Sequence, residues 1–206
     1  MGEGEIMTVK AEPKNLTPVY SALSLAFSVP KVPVSDISAS MKEVISHGQG
    51  ELVDRVGDLA VRLGEDPYHR MQYARLFYGP YSVPVPLYES VYREGTIMGR
   101  TATQVSRYYA RGGLEMESSA ELPDHLSVEL EFLAYLSYFE ATKPGAPGSL
   151  KEEFLRRHVL TWLPEVSSSL ENQAPGSVYL ELARAAEAAC RADWSDLEGR
   201  GDGGGC

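Results

Sequence analysis

The run from Tyr73 to Tyr92, YARLFYGPYSVPVPLYESVY, and the run from Pro123 to Leu136, PDHLSVELEFLAYL, decide how this chain folds. The first opens with helical spacing, Tyr73, Leu76 and Phe77 sharing one face, and breaks at Gly79-Pro80. Pro80, Pro84 and Pro86 each delete a backbone donor and fix their own φ. That predicts an extended aromatic loop from Gly79 to Met98 that joins no helix. The second run predicts a helix from Asp124 to Ala141 that is apolar nearly all round, which suits a central, buried element.

Outward from these two runs the punctuation is helical from end to end, and no strand pair with a hairpin turn stands out. Thr17-Pro18 reads as an N-cap with proline at N1, opening a helix with Val19, Leu23, Ala26 and Phe27 at helical spacing. Ser35 caps a second helix carrying Ile37, Met41, Val44 and Ile45, stopped at Gly48. Leu52, Val53, Val56, Leu59, Ala60 and Leu63 form the stripe of a third, ended by Gly64. Asp66-Pro67 opens a fourth, running to Tyr78. Thr101 with Gln104 makes a capping box before Ala102, Val105 and Tyr109. Ser149 with Glu152 makes another, opening a helix on which Leu155, His158 and Trp162 align, and Ser177 caps the last. The expected architecture is all-α, a single-domain bundle of about eight helices with a long proline-rich loop after the fourth.

Residues 1–14 read as a flexible amino-terminal segment, 15–195 as the helical domain and 196–206 as a disordered glycine-rich tail. KPGAPGS, from Lys143 to Ser149, is a linker between helices, since the flanking stripes each need a partner. With 43% hydrophobic residues the 206-residue chain can bury one substantial core. Its formal charge of −10, from 29 acidic and 19 basic residues, leaves no general attraction for phosphates, so nucleic acid is not an expected partner. The amino terminus has neither the charge nor the apolar core of a secretory signal, and no apolar run is long enough to span a bilayer. A cytoplasmic protein without integral membrane contact is the expectation. Cys190 and Cys206 read as free thiols.

The aromatics of the loop, Tyr81, Leu87, Tyr88, Val91 and Tyr92 among them, must pack either on the domain's own core or on a ligand. Asp124 is either an N-cap or part of a recognition corner with His125. His125, Glu129 and His158 contain metal-ligating types, but their spacing specifies no further ligand and HExxH is absent. No GxSxG elbow and no glycine-rich phosphate loop occurs, so nothing supplies a nucleophile or a nucleotide cradle.

In order and spacing, Tyr73-Ala-Arg-Leu-Phe-Tyr-Gly-Pro80, Pro86, Glu89-Ser-Val-Tyr92, Asp124-His125 with Glu129, and His158 with Trp162-Leu-Pro164 resemble the TorD/DmsD/NarJ family of redox-enzyme maturation chaperones. The likeness runs from about Tyr20 to Ala189. It implies an all-helical cytoplasmic chaperone, not an enzyme, that binds the twin-arginine leader of a molybdopterin-containing oxidoreductase and delays export until the cofactor is inserted. It further implies a signal-peptide pocket formed by Tyr73, Leu76, Phe77, Pro86, Tyr88, Ser90, Val91, Tyr92, Asp124 and His125, with no catalytic residue, metal or cofactor. Some members carry tryptophan where this chain has Tyr73, Tyr88 and Tyr92. The implied partner is the leader, together with the mature part of the client's catalytic subunit, met by a monomer or a dimer. Two other readings stay open: a metal-dependent hydrolase using His125, Glu129 and His158, and a structural helical subunit of a redox complex.

Overall fold

Helix α1, Thr17–Phe27, is the axis on which the other helices assemble, because nearly every side chain it carries is apolar or small and buried. In the computed structural model the described residues are 15–78, 83–116, 121–143 and 149–201. Expectations for the first fourteen residues, for Gly79-Pro80 and Tyr81, for the middle of the KPGAPGS linker and for the chain beyond residue 201 lie outside them. Among the described residues there is no strand, only an isolated bridge between Tyr88 and His125.

The eight expected helices are all present: α1, α2 (Val34–Ile45), α3 (Glu51–Glu65), α4 (His69–Phe77), α6 (Arg100–Arg111), α7 (Leu126–Thr142), the run opening at Ser149, and α10 (Val178–Gly201). That run divides into α8 (Ser149–Phe154), a π turn (Leu155–Val159) and α9 (Leu160–Gln173), with Pro164 inside α9. One helix is additional. α5, Glu89–Glu94, lies inside the stretch expected to be extended. The prolines end at Pro86, so the amides beyond it are free to form a turn, and a carboxylate from a distant segment caps them. α5 stops at Gly95, whose φ of 71° is left-handed.

Several caps sit a residue or more from their expected positions. Asn15 accepts from the Thr17 amide, so Thr17 is helical rather than the cap. Pro33, not Ser35, precedes α2. The start of α6 is held by Glu94, whose carboxylate accepts from the amides of Arg100 at 3.0 Å and Thr101 at 2.6 Å, in place of a Thr101 capping box. Ser177 does cap α10, accepting from the Leu180 amide at 3.2 Å. α10 continues to Gly201 with Leu197 buried, so the first residues expected in the tail are helical. Gly64 stands one residue from the end of α3, close to the expected stop, and has a second role in packing. It lies inside α3 where α2 crosses, and a Cβ there would fall 2.5 Å from the Ser38 hydroxyl, which donates to the Ala60 carbonyl.

α1 packs on α7 on one side and on α2, α3 and α10 on the others. Ser24 donates to the Ser127 carbonyl at 2.8 Å, tying α1 to the first turn of α7. A buried ion cluster closes the far side of the bundle. Lys151 on α8 reaches Glu140 on α7 at 2.7 Å and Asp193 on α10 at 2.8 Å, while Tyr20 on α1 donates to the other Asp193 oxygen at 3.0 Å. Burial, with Cys190 and Asp193 beside it, holds the Tyr20 hydroxyl well above its ordinary pKa, and burial likewise pushes the Cys190 thiol up. Cys190 is thus a buried, protonated thiol. Removing one member of such a cluster strands the other charge in the interior. Asp193→Ala should lower unfolding stability by about 3–5 kcal/mol, read from urea denaturation, whereas removal of the exposed pair Arg191–Glu187 should change it by no more than about 1 kcal/mol.

Candidate functional site

Two chain segments cross at the start of α7. Residues 83–88 pass over it as a strap. The Leu126 amide donates to the Leu87 carbonyl at 2.8 Å, and the Glu89 amide donates to the Asp124 carbonyl at 2.9 Å. The strap is also stitched back to α4, the Val85 amide donating to the Leu76 carbonyl at 2.9 Å. Asp124 does not cap the helix it precedes. Its carboxylate turns to α5 and accepts from the Ser90 amide at 2.9 Å, so one residue supplies both a carbonyl and a carboxylate to the α5 amino terminus. The α7 cap is His125, whose Nδ1 lies 3.2 Å from the Ser127 amide and 2.8 Å from the Ser127 hydroxyl.

The ten residues singled out from the sequence fall into an inner six and an outer four. Tyr73, Leu76 and Phe77 point into the bundle, where Tyr73 and Phe77 join Phe27 and Tyr179 in edge-to-face contacts. The Tyr73 hydroxyl donates to the Phe27 carbonyl at 2.9 Å. Ser90, Asp124 and His125 are also buried. Pro86, Tyr88, Val91 and Tyr92 are half-exposed. The Tyr88 ring stands 4.9 Å from the His125 ring, edge to face, and its hydroxyl donates to Glu121 at 3.1 Å. Tyr92 lies against Trp162 at 5.5 Å. The loop thus divides: Val85 and Leu87 are core, while Pro86 and Tyr88 are half-buried at its surface.

Beneath α5 lies a buried polar network that sequence reading only half sees. Glu89 is fully buried, accepting from Arg93 Nη1 at 2.6 Å and paired through its other oxygen with His158 Nδ1 at 2.8 Å. Arg93 also donates to the Arg157 carbonyl at 3.0 Å, within the π turn. Glu129 accepts from the Trp162 indole at 3.1 Å, and burial, reinforced by the nearby Glu89 carboxylate, pushes its pKa well up. His125, Glu129 and His158 are thus committed to Ser127, Trp162 and Glu89 respectively, and among the described residues no cluster of three or more His, Cys, Asp or Glu is placed to hold a metal. The Glu89–Arg93 spacing of four was the available signal for this network; its link to His158 crosses 69 residues and had none.

Elsewhere, an open hollow of about 640 Å³ lies between the outer face of α4 and the α9–α10 turn. Two of its polar walls are already engaged, Gln72 donating to Asp66 and Ser177 capping α10. No helix among the described residues is long and apolar enough to cross a membrane.

With this geometry in view, comparison with known proteins points one way. The family described as nitrate reductase delta subunit matches residues 52–168, a span that takes in the strap, α5 and α7. The perchlorate reductase assembly chaperone protein of Dechloromonas aromatica is 29% identical over 116 residues, 52% of each chain. The chaperone protein TorD of Vibrio cholerae is 31% identical over 113 residues, 52% of this chain and 51% of its own. The selenate reductase assembly chaperone protein of Thauera selenatis is 35% identical over 104 residues, 47% of this chain and 53% of its own. The matched part spans about half the length of each relative. A crystal structure described as a redox enzyme maturation protein from Archaeoglobus fulgidus shares the fold, with a TM-score of 0.57 at 22% identity over 96% of this chain and 97% of that one.

The His125 cap has a pH signature. Nδ1 accepts only from the neutral ring, and burial pushes the imidazole pKa down from 6.5 to about 4, against the opposing pull of Glu121 and Asp124. The unfolded chain then takes up the proton before the folded one. The cap's contribution to stability should be full above pH 6.5, fall between pH 6.5 and pH 4, and level off below that window. His125→Asn, which keeps a capping side chain without a titrating group, should flatten that part of the stability profile, measured by denaturant unfolding from pH 7 to pH 4.

Proposed function

The chain belongs to the nitrate reductase delta subunit family of redox-enzyme maturation chaperones, and from that premise we propose that it is a cytoplasmic chaperone for a molybdenum-containing oxidoreductase. In this reading it binds the twin-arginine leader of the client's catalytic subunit and keeps it from export while the cofactor is inserted. The relatives named for perchlorate and selenate reductase assembly support a client of that class. The observation that carries the reading is the half-exposed Tyr88 ring with Glu121 at its hydroxyl. A guanidinium laid over such a ring meets the negative face of the aromatic and a carboxylate at its edge.

The ten residues then divide by task. Pro86, Tyr88, Val91 and Tyr92 form the contact surface. Asp124, Ser90 and His125 hold the strap and α5 in register beneath it, and Tyr73, Leu76 and Phe77 anchor the strap to the bundle. Aromatic and proline side chains suit this role, since they offer apolar area while losing little conformational freedom on binding. The His158–Glu89 and Trp162–Glu129 pairs stiffen the floor and carry no chemistry of bond breaking.

Calorimetry with a synthetic leader tests the reading. The wild-type protein should bind it, a leader with both arginines replaced by glutamine should bind at least about tenfold more weakly, and Tyr88→Ala should lose about tenfold affinity with unchanged helicity by circular dichroism. An intact leader that produces no heat and no competition would remove the proposal.

A further inference from the structure

Among the described residues, one apolar side of α7 is only partly covered: Phe132 and Leu136 are buried, while Val128, Tyr135 and Phe139 are half-buried. Val128, Glu131, Phe132, Tyr135, Leu136 and Phe139 recur at helical spacing, and they line two hollows that meet at Tyr135. The first, about 260 Å³, is closed by Leu114, Glu115 and Met116; the second, about 180 Å³, lies between Phe139 and Leu150. From Val128 to Glu140 the groove is about 18 Å long at a rise of about 1.5 Å per residue. That accommodates about five extended residues or about twelve helical ones.

The charge along this groove is polarised. Glu115 and Glu131 in the first hollow are exposed, and neither forms an ion pair or a side-chain hydrogen bond among the described residues. The cations lie toward the other end. Arg111 is paired with Glu153, and Lys151 with Glu140 and Asp193, while Lys143 sits 4.3 Å over the Phe139 ring. Two carboxylates unpaired among the described residues, at the mouth of an apolar trough whose lining cations Arg111 and Lys151 are already paired, complement one kind of segment: a pair of cations followed by apolar side chains, entering at Glu115 and Glu131.

We infer that this α7 groove is a binding site for a basic-then-apolar peptide segment, the cations lying on Glu115 and Glu131 and the apolar residues running over Tyr135 toward Phe139. The inference deepens the proposed function and rests on it. It assigns the apolar stretch of the leader to α7, and assigns cation recognition to residues other than Asp124, whose side chain is fully buried with one oxygen holding the Ser90 amide. Tyr88 and Glu121 stand at the start of α7, the end nearer Glu131 than Phe139, so in this assignment the cation pair enters the groove beside the Tyr88 ring.

The test is a double-mutant cycle read by fluorescence anisotropy. One probe is a synthetic peptide of two arginines followed by a leucine-rich stretch, the other the same peptide with two glutamines. The proteins are the wild type, E115Q/E131Q and Phe139→Asp. E115Q/E131Q should weaken the arginine peptide about tenfold, leave the glutamine peptide nearly unchanged and flatten the salt dependence of binding. Phe139→Asp should weaken both peptides. Equal affinities of wild type and E115Q/E131Q for a bound arginine peptide would overturn the groove assignment while leaving leader binding at Tyr88 intact. Failure of the wild type to bind the arginine peptide would overturn both. Concentration-dependent dimerisation abolished by Phe139→Asp, with no peptide bound, would show the face to be a self-association surface and overturn the inference.

Discussion

The candidate site depends on the bridge by which residues 87–89 pair with residues 124–126. Two backbone hydrogen bonds and the Asp124 carboxylate fasten the strap to the first turn of α7. Without that junction α5 is a six-residue helix too short to persist alone, and Tyr88 has no fixed direction. With it, an extended segment, a short helix and the start of a long helix share one small hydrogen-bonded core. The outward face of that core carries Tyr88, and its inward face carries Leu87 and Val85.

The buried network below α5 gives the junction its stiffness. A fully buried Glu89 is tolerated because both its oxygens are engaged, one by a guanidinium and one by an imidazole. At Glu129 burial and the nearby Glu89 carboxylate push the pKa up, favouring the neutral acid, and one oxygen accepts from Trp162. The histidine and glutamate types that suggest metal or acid-base chemistry when read along the chain are engaged here, His158 by Glu89, His125 by Ser127 and one Glu129 oxygen by the Trp162 indole.

α7 reconciles two features that conflict when read alone. Its apolar residues run nearly all round, as in a fully buried helix, yet Glu131, Tyr138 and part of Tyr135 face outward. One side of the helix fills the core against α1, and another lines an open trough. An apolar circumference does not require burial on every side. Among the described residues, one apolar side of α7 is only partly covered.

The sequence by itself determined the helical class, the positions of the main helices to within a few residues, the grouping of the loop with Asp124-His125 and the family likeness that the comparisons later bore out. These follow from local rules: apolar spacing, proline and glycine punctuation, and the Ser177 cap. Tertiary structure decided what each polar side chain does. Asp124 caps α5 rather than α7, Glu94 rather than Thr101 holds the start of α6, Lys151 meets Asp193 across 42 residues, and His158 meets Glu89 across 69. The physical reason is one of range. Apolar periodicity repeats every few residues and can be read along a chain, whereas a buried carboxylate takes whichever donor the packing brings to it, and packing is settled only when distant helices meet.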